Sequence, residues 1–371
     1  MKKILSLIVI TSLTSVVSLA KEIKIGAVMP MTGTIAAYGQ KANLGVELAH
    51  KLQPRLKNGD TIKLVLLDNK GDKKESAVAT QMLISSDKVV AILGALTSSN
   101  TEQVISIAQK NQIPVIASSA TNDKLTVNKT FANRVCFTNS FQGEIVSNYA
   151  ISQGYKTATI IIDQEQAYSF SLSKAFQTAF LNAGGEIVQK IKISSGDKDF
   201  KKVVSEIKKV NPEFIFLPLY HPEAAMIARA AKHMGLKKPM FSGDGVANET
   251  FIALGANAIE GYMYTDFFDS LNPPSKTSAE FIAYHKKETG QDKVTSYTAL
   301  GADTYNVLID AMNRCEDPTN SVCINEEIKK TKNFDGVSGM ISIDNQGNAS
   351  RSAVIKEIKN GVALFKATVN P

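Results

Sequence analysis

VVAILGALTSSNTEQVISIAQKNQIPVIASSAT, residues 89–121, contains a complete strand–helix–strand unit. Val89–Leu93 is an unbroken apolar run, as expected of a strand buried on both faces. GALTSSNT (94–101) follows with four hydroxyl residues and an Asn, and TEQVISIAQKNQ has helical periodicity. IPVIA (113–117) is a second strand, and it too opens into small and hydroxyl residues, ASSAT. Hydrophobic patterning of this kind builds a parallel sheet covered by helices.

The pattern extends in both directions. Upstream, IKIGAVM (23–29) and TIKLVLL (61–67) are strands, with helical spacing at Leu44, Leu48, Ala49 and Leu52 and a helix over KKESAVATQMLISS. After residue 140 the alternation restarts. Strands TATIIID (157–163), EIVQKIKI and FIFLPL (214–219) are separated by helices, followed by short strands at KPMFSG and GYMYT. Helices near 277–289 and 297–314 come next, and the tail from Ser338 is read as strands that pair back onto the existing sheets. About 350 residues exceed what one core usually serves, so two lobes of α/β class are expected. In such sheets ligands bind beyond the carboxyl ends of the strands. The segments following the strands are therefore the candidate site.

MKKILSLIVITSLTSVVSLA has a basic start, a short apolar core and a small-x-small end at Ala20. It is read as a signal peptide over residues 1–20, cleaved after Ala20, and the mature chain is expected in the periplasm. The net charge is +7, of which Lys2 and Lys3 supply two, leaving +5 on residues 21–371. The lysines are interspersed with acids and form no stripe with aromatics, so no nucleic-acid partner is expected. Cys315 and Cys323 flank the turn-rich EDPTNSV, and in an oxidising compartment they are expected to form a disulfide worth about 2 kcal/mol. Cys136 is expected to be a buried free thiol.

Catalytic signals are absent. No G-x-S-x-G elbow surrounds Ser98, the four His are widely spaced, and no metal-ligand spacing or phosphate-binding glycine loop occurs. Neither a catalytic residue nor a metal nor a cofactor is expected. Ser98, Ser99 and Asn100 are good helix N-cap types if the helix begins near Thr101. A helix start rich in free amides and hydroxyls also suits a carboxylate. Asp244, with Tyr168 and Tyr220, would come from the second unit. An acid on one wall and anion-suited amides on the other fit a zwitterion.

The segments IGAVMPMTGTIAAYGQKANLGVELA, ILGALTSSNT, IPVIASSATNDKLT, DQEQAYSFSL, LYHPEAAMIARAAKHMGLKKPMFSGDGVAN and EGYMYT run in an order that resembles the leucine/isoleucine/valine-binding protein family, the periplasmic amino-acid receptors of ABC importers. The resemblance implies a type I periplasmic-binding-protein fold: two Rossmann-like lobes joined by three crossovers, closing on one ligand. It places residues 21–138 and 268–345 in the N-terminal lobe and 139–267 and 346–371 in the C-terminal lobe. By motif, Ser98 and Thr121 would hold the ligand carboxylate. Thr121 and the carbonyls near Ser119 and Ala120 would meet its ammonium, with Asp244 as the acidic partner. Tyr168 and Tyr220 would close from the second lobe, and Tyr38, Leu96 and Tyr297 would line the side-chain pocket. The implied partners are an amino acid and the membrane permease subunits of an ABC importer, with a monomeric receptor. The chain departs from the pattern in having Asp where the branched-chain receptors carry Glu, in lacking their small disulfide near the first-lobe site, and in placing His221 beside Tyr220. The alternative is a secreted enzyme using Ser98 or Asp244 on a small amide or amino acid.

Overall fold

The computed structural model describes residues 20–371; the expected leader, residues 1–20, lies outside them except for Ala20. The first lobe runs β1 (Glu22–Met29), α1 (Ala36–Leu52), β2 (Thr61–Asp68), α2 (Lys73–Met82), β3 (Ile92–Gly94), α3 (Ser98–Ala108), β4 (Val115–Ala117) and β5 (Ala132–Arg134). These strands form one parallel sheet in the order β2-β1-β3-β4-β5. The second lobe continues with α4 (Asn139–Ser152), β6 (Thr157–Asp163), α5 (Ala167–Asn182), β7 (Glu186–Ile193), α6 (Lys201–Val210), β8 (Phe214–Leu217), α7 (His221–His233), β9 (Met240–Ser242), α8 (Glu249–Gly255) and β10 (Met263–Asp266). The chain then adds α9 (Lys276–Thr289), α10 (Ser296–Met312), α11 (Ser321–Lys329), β11 (Phe334–Gly336), β12 (Gly339–Ile343), β13 (Ala349–Ser350), β14 (Ala353–Lys359) and β15 (Val362–Val369).

The tail divides. β14 pairs antiparallel with β10, and β15 with β14, completing the seven-stranded sheet β15-β14-β10-β9-β8-β6-β7. β11, β12 and β13 do not join either large sheet, as had been expected of the whole tail; they form a three-stranded sheet of their own. The cause is local. Asp303 on α10 accepts from the amides of Val337 (2.5 Å) and Ser338 (3.0 Å), pinning the β11–β12 turn to a helix. The segment around Cys323 is helical: Asn320 caps α11 by accepting from Val322 and Cys323 amides. Cys315 and Cys323 are disulfide-bonded, and Cys136 is a buried free thiol.

The order of each sheet reverses once among its parallel strands, between β1 and β3 in one lobe and between β6 and β8 in the other. At such switch points adjacent crossovers leave in opposite directions and open a crevice at the strands' carboxyl ends. Tyr38 and GALTSSNT follow β1 and β3, and Tyr168 and Tyr220 follow β6 and β8. Both crevices therefore carry expected site residues. The α1–α10 crossing is unusually close. A Cβ on Gly45 would lie 1.9 Å from the Thr298 carbonyl, and one on Gly301 2.0 Å from that of Ala42. The two helices bearing Tyr38 and Tyr297 are thus packed backbone to backbone.

The chain passes between the two large sheets three times, after β5, after β10 and before β14. Arg351, on the third passage, is 3% exposed. Its guanidinium donates to the carbonyls of Val135 on the first passage (3.4 Å), Phe267 on the second (2.8 Å) and Ser338 (2.8 Å), and to Ser338 Oγ (2.7 Å). Removing it strands several buried acceptors at once. Arg351→Met is expected to cost on the order of 3–5 kcal/mol, read as a lowered denaturant midpoint. A loss under about 0.5 kcal/mol, the level of an ordinary surface substitution, would contradict this role.

Candidate functional site

GALTSSNT turns out of β3 at Gly94, where φ is 126° and an added Cβ would lie 2.1 Å from the Val28 carbonyl. Only glycine fits both demands. Two residues on, Leu96 holds φ at 72°, a left-handed conformation uncommon for a side chain of its size. Helix α3 begins at Ser98, earlier than its apolar periodicity indicates, and its N-cap is Thr97, whose side chain makes no capping bond. Ser98, Ser99 and Asn100 are thus in the first turn and do not cap the helix. The hydroxyls are used otherwise. Ser98 Oγ accepts from the Asn122 amide (3.2 Å) and Ser119 Oγ donates to the Leu96 carbonyl (3.2 Å), fastening the turn after β3 to the turn after β4. Ser99 Oγ accepts from the Ala167 amide of the second lobe (3.0 Å). Buried Arg134 shapes the second turn by donating to the carbonyls of Ala120 and Asn122.

Tyr38, Leu96, Thr97, Ser119, Tyr168, Tyr220, Asp244 and Tyr297 enclose a cavity between the lobes. Seven of these were expected from sequence; Thr97 was not. The other three expected residues stand behind the wall. Ser98 is tied to Asn122, the Ala120 carbonyl is taken by Arg134 and the Cys136 thiol, and Thr121 Oγ1 is buried without a partner among the described residues. Asp244 and Ser98 are deeply buried, at 3% and 1%.

The tyrosines join the lobes. Tyr38 donates to the Gly245 carbonyl (2.5 Å), accepts from the His221 amide (3.2 Å) and lies 2.8 Å from His221 Nδ1. Tyr297 donates to the Asp244 carbonyl (2.9 Å), and Tyr168 Oη accepts from the Gly245 amide (3.1 Å). Rings of Tyr38 and Tyr297 lie 4.9 Å apart, and Tyr168 stacks on Tyr220 at 5.0 Å. Burial raises all four phenols above their ordinary range and lowers His221 to about 4, so the imidazole is neutral.

Asp244 is clamped by Gln142 on α4, which donates Nε2–H to Oδ1 (2.8 Å) and accepts the Asp244 amide at Oε1 (2.8 Å). Thr265 Oγ1 also donates to Gln142 Oε1 (2.7 Å), fixing the amide's orientation. Burial pushes the Asp244 carboxyl up to about 7, against the opposing bond from Gln142. Gln142 was missed in sequence. Its signal was available: with Asn139 and Val146 it lies on one helical face, placing two polar residues where a core stripe calls for apolar ones. Among the described residues no group of three His, Cys, Asp or Glu side chains could hold a metal.

A family model described as periplasmic binding protein matches residues 22–363, nearly the whole chain. The chain belongs to the periplasmic binding protein family. Its closed two-lobe architecture is the type I fold of that family. The leucine binding protein LivK of Thermotoga maritima superposes with a TM-score of 0.91 at 35% identity, covering 94% of this chain and 99% of that one. LivJ of Streptococcus pneumoniae, in complex with isoleucine, gives 0.87 at 29% identity, covering 95% and 100%. The Leu/Ile/Val-binding protein of Escherichia coli is 28% identical over 338 residues, 89% of each chain. These relatives are solute-binding proteins.

In a periplasmic binding protein with this buried acid, stability must depend on its proton. Asp244 has a folded pKa of about 7 against an ordinary 3.8. Between those values the folded state holds more protons than the unfolded chain, so stability falls as pH rises from about 4 to 7. The full interval corresponds to roughly 4 kcal/mol. Asp244→Asn removes this dependence. Denaturant titrations of both proteins should show the variant gaining on wild type across that interval and levelling off above it. A difference that stays flat from pH 4 to 8 would refute the buried-acid assignment.

Proposed function

We propose that the protein captures a small aliphatic amino acid, branched-chain in the first instance, between its lobes and delivers it to the permease subunits of an ABC importer. The observation that carries this is the opposition across the cleft of one buried carboxylate, Asp244, and a pair of hydroxyl- and amide-bearing turns, Thr97–Ser98 and Ser119–Thr121. Asp244 would receive the ammonium. Ser98, with the first-turn amides of α3, and Thr121, whose buried hydroxyl lacks a partner among the described residues, would receive the carboxylate. Tyr38, Leu96, Tyr220 and Tyr297 would surround the side chain. The names of the related LivK, LivJ and Leu/Ile/Val-binding proteins support the ligand class.

Closed, the cavity measures only about 10 Å3, the space of a single water. Uptake therefore requires the lobes to part and the tyrosine hydroxyls to exchange backbone partners for ligand. A ligand touching both lobes favours the closed state through its differential affinity. Turnover has little support: the only hydrogen bond to Ser98 Oγ among the described residues comes from the Asn122 amide, with neither imidazole nor carboxylate in reach as base.

Calorimetry with leucine, isoleucine, valine, alanine and serine tests the assignment. Ser98→Ala is expected to weaken binding by about 1.5–3 kcal/mol and Asp244→Asn by about 2–5 kcal/mol. If Asp244→Asn binds every amino acid as tightly as wild type, the ammonium lies elsewhere. Because the ligand's ammonium favours ionised Asp244, binding near pH 6 should release a proton, and affinity should fall as pH drops below 7. Identical heats in buffers of different ionisation enthalpy would argue against that coupling.

The mature protein would begin at Lys21, work in the periplasm and act as a monomer. Mass analysis of secreted protein should find that N-terminus; retention of residues 1–20 would count against export by cleavage.

A further inference from the structure

A second cavity, of about 360 Å3, lies on the hinge side of the molecule and shares no lining residue with the cleft. Its size suits a small ligand. One wall comes from the second-lobe sheet, at β10, β14 and β15, with part of α8. The facing wall is the segment 293–296, which leads into α10 and so moves with Tyr297. Anything seated there touches both lobes.

Its polar lining is only partly engaged within the protein. Lys356 pairs with Asp266 at 2.8 Å, so those two charges offset each other. Asp269 is 6% exposed and has no cationic partner within salt-bridge distance among the described residues. One of its oxygens accepts from the Leu271 amide (2.8 Å), and its other oxygen has no hydrogen bond among the described residues. Tyr264 is 4% exposed and stands opposite Lys356 in the β10–β14 register. It lines the cavity, and its hydroxyl has no hydrogen-bond partner among the described residues. The free Asp269 oxygen and the Tyr264 hydroxyl both keep contact with solvent, so each is open to a ligand's polar group. Ile252, Val294 and Val362 supply an apolar wall beside them, while Glu249 and Lys293 lie exposed at the rim.

We propose that this cavity is a second ligand site, taking a small primary amine with an apolar body: the ammonium on Asp269, the Tyr264 hydroxyl beside it, and the alkyl part against Ile252, Val294 and Val362. Because its walls belong to both lobes, an occupant favours closure and so raises affinity in the cleft, and a cleft ligand raises affinity here by the same factor. The site does not depend on what the cleft binds.

The probe is n-butylammonium chloride, followed by ligand-observed and amide NMR on the intact mature protein, with n-butanol as the uncharged control. Wild type should bind the amine saturably in the millimolar range and butanol about tenfold more weakly or worse. Asp269→Asn keeps an acceptor for the Leu271 amide and should weaken the amine about tenfold or more, the scale of a lost charge-assisted bond. Tyr264→Phe, which removes only the hydroxyl, should weaken it less, about threefold. Asp244→Asn should leave it unchanged within about twofold. These losses count only in variants whose melting curves match wild type, and either of the two hinge-side variants suffices. Butanol binding as well as the amine, full affinity in both hinge-side variants, or loss in Asp244→Asn would overturn the site; the last outcome would place the amine in the cleft. No saturable binding would overturn it as well.

Discussion

One guanidinium meets all three passages between the lobes. Arg351 sits on the third passage and hydrogen-bonds to carbonyls on the other two, with Ser338 linking it to Asp303 on α10. Buried Arg is tolerable only when its donors are occupied, and here most of the acceptors are backbone. The consequence is mechanical. The segments that must flex when the lobes part are tied at a single point, which favours rotation about that point over sliding. Everything at the cleft inherits its register from this knot, because Tyr38 and Tyr297 meet residues 244 and 245 only if the lobes close along one path.

Much of the cleft was legible because it follows from topology. Post-strand segments at the switch points had to carry the chemistry, and seven of the ten residues chosen on that ground and on family motifs line the cavity. What escaped was set by geometry that a linear pattern does not encode. The hydroxyls of GALTSSNT invite a capping role, yet α3 starts at Ser98 and they bond to a neighbouring turn and to the other lobe. Ala120 has the right position, but Arg134 claims its carbonyl from fourteen residues away. The three-stranded sheet escaped because its anchor, Asp303, lies in a helix more than thirty residues earlier. Gln142 differs: its polar place on a core stripe was readable, but its partner, 102 residues away, was not.

The cleft combines groups with opposite electrostatic demands. Asp244 is buried enough to prefer its proton near neutrality, while Gln142 holds its ionised form in place. A cationic group arriving opposite tips this balance without any rearrangement of the clamp. His221, neutral beside Tyr38, adds no competing charge. The surrounding phenols, all held protonated by burial, supply hydrogen bonds whose sense does not change with pH in the physiological range.

The two first-lobe tyrosines reach across to main-chain carbonyls, those of Asp244 and Gly245. Main-chain atoms are common to every residue type. On the proposed reading, descendants of this sequence could therefore exchange the side chain at position 244, and with it the preferred cargo, without rewriting how the jaws meet. Recognition and closing would be free to evolve on separate schedules, and a single scaffold could diversify its cargo through a handful of substitutions.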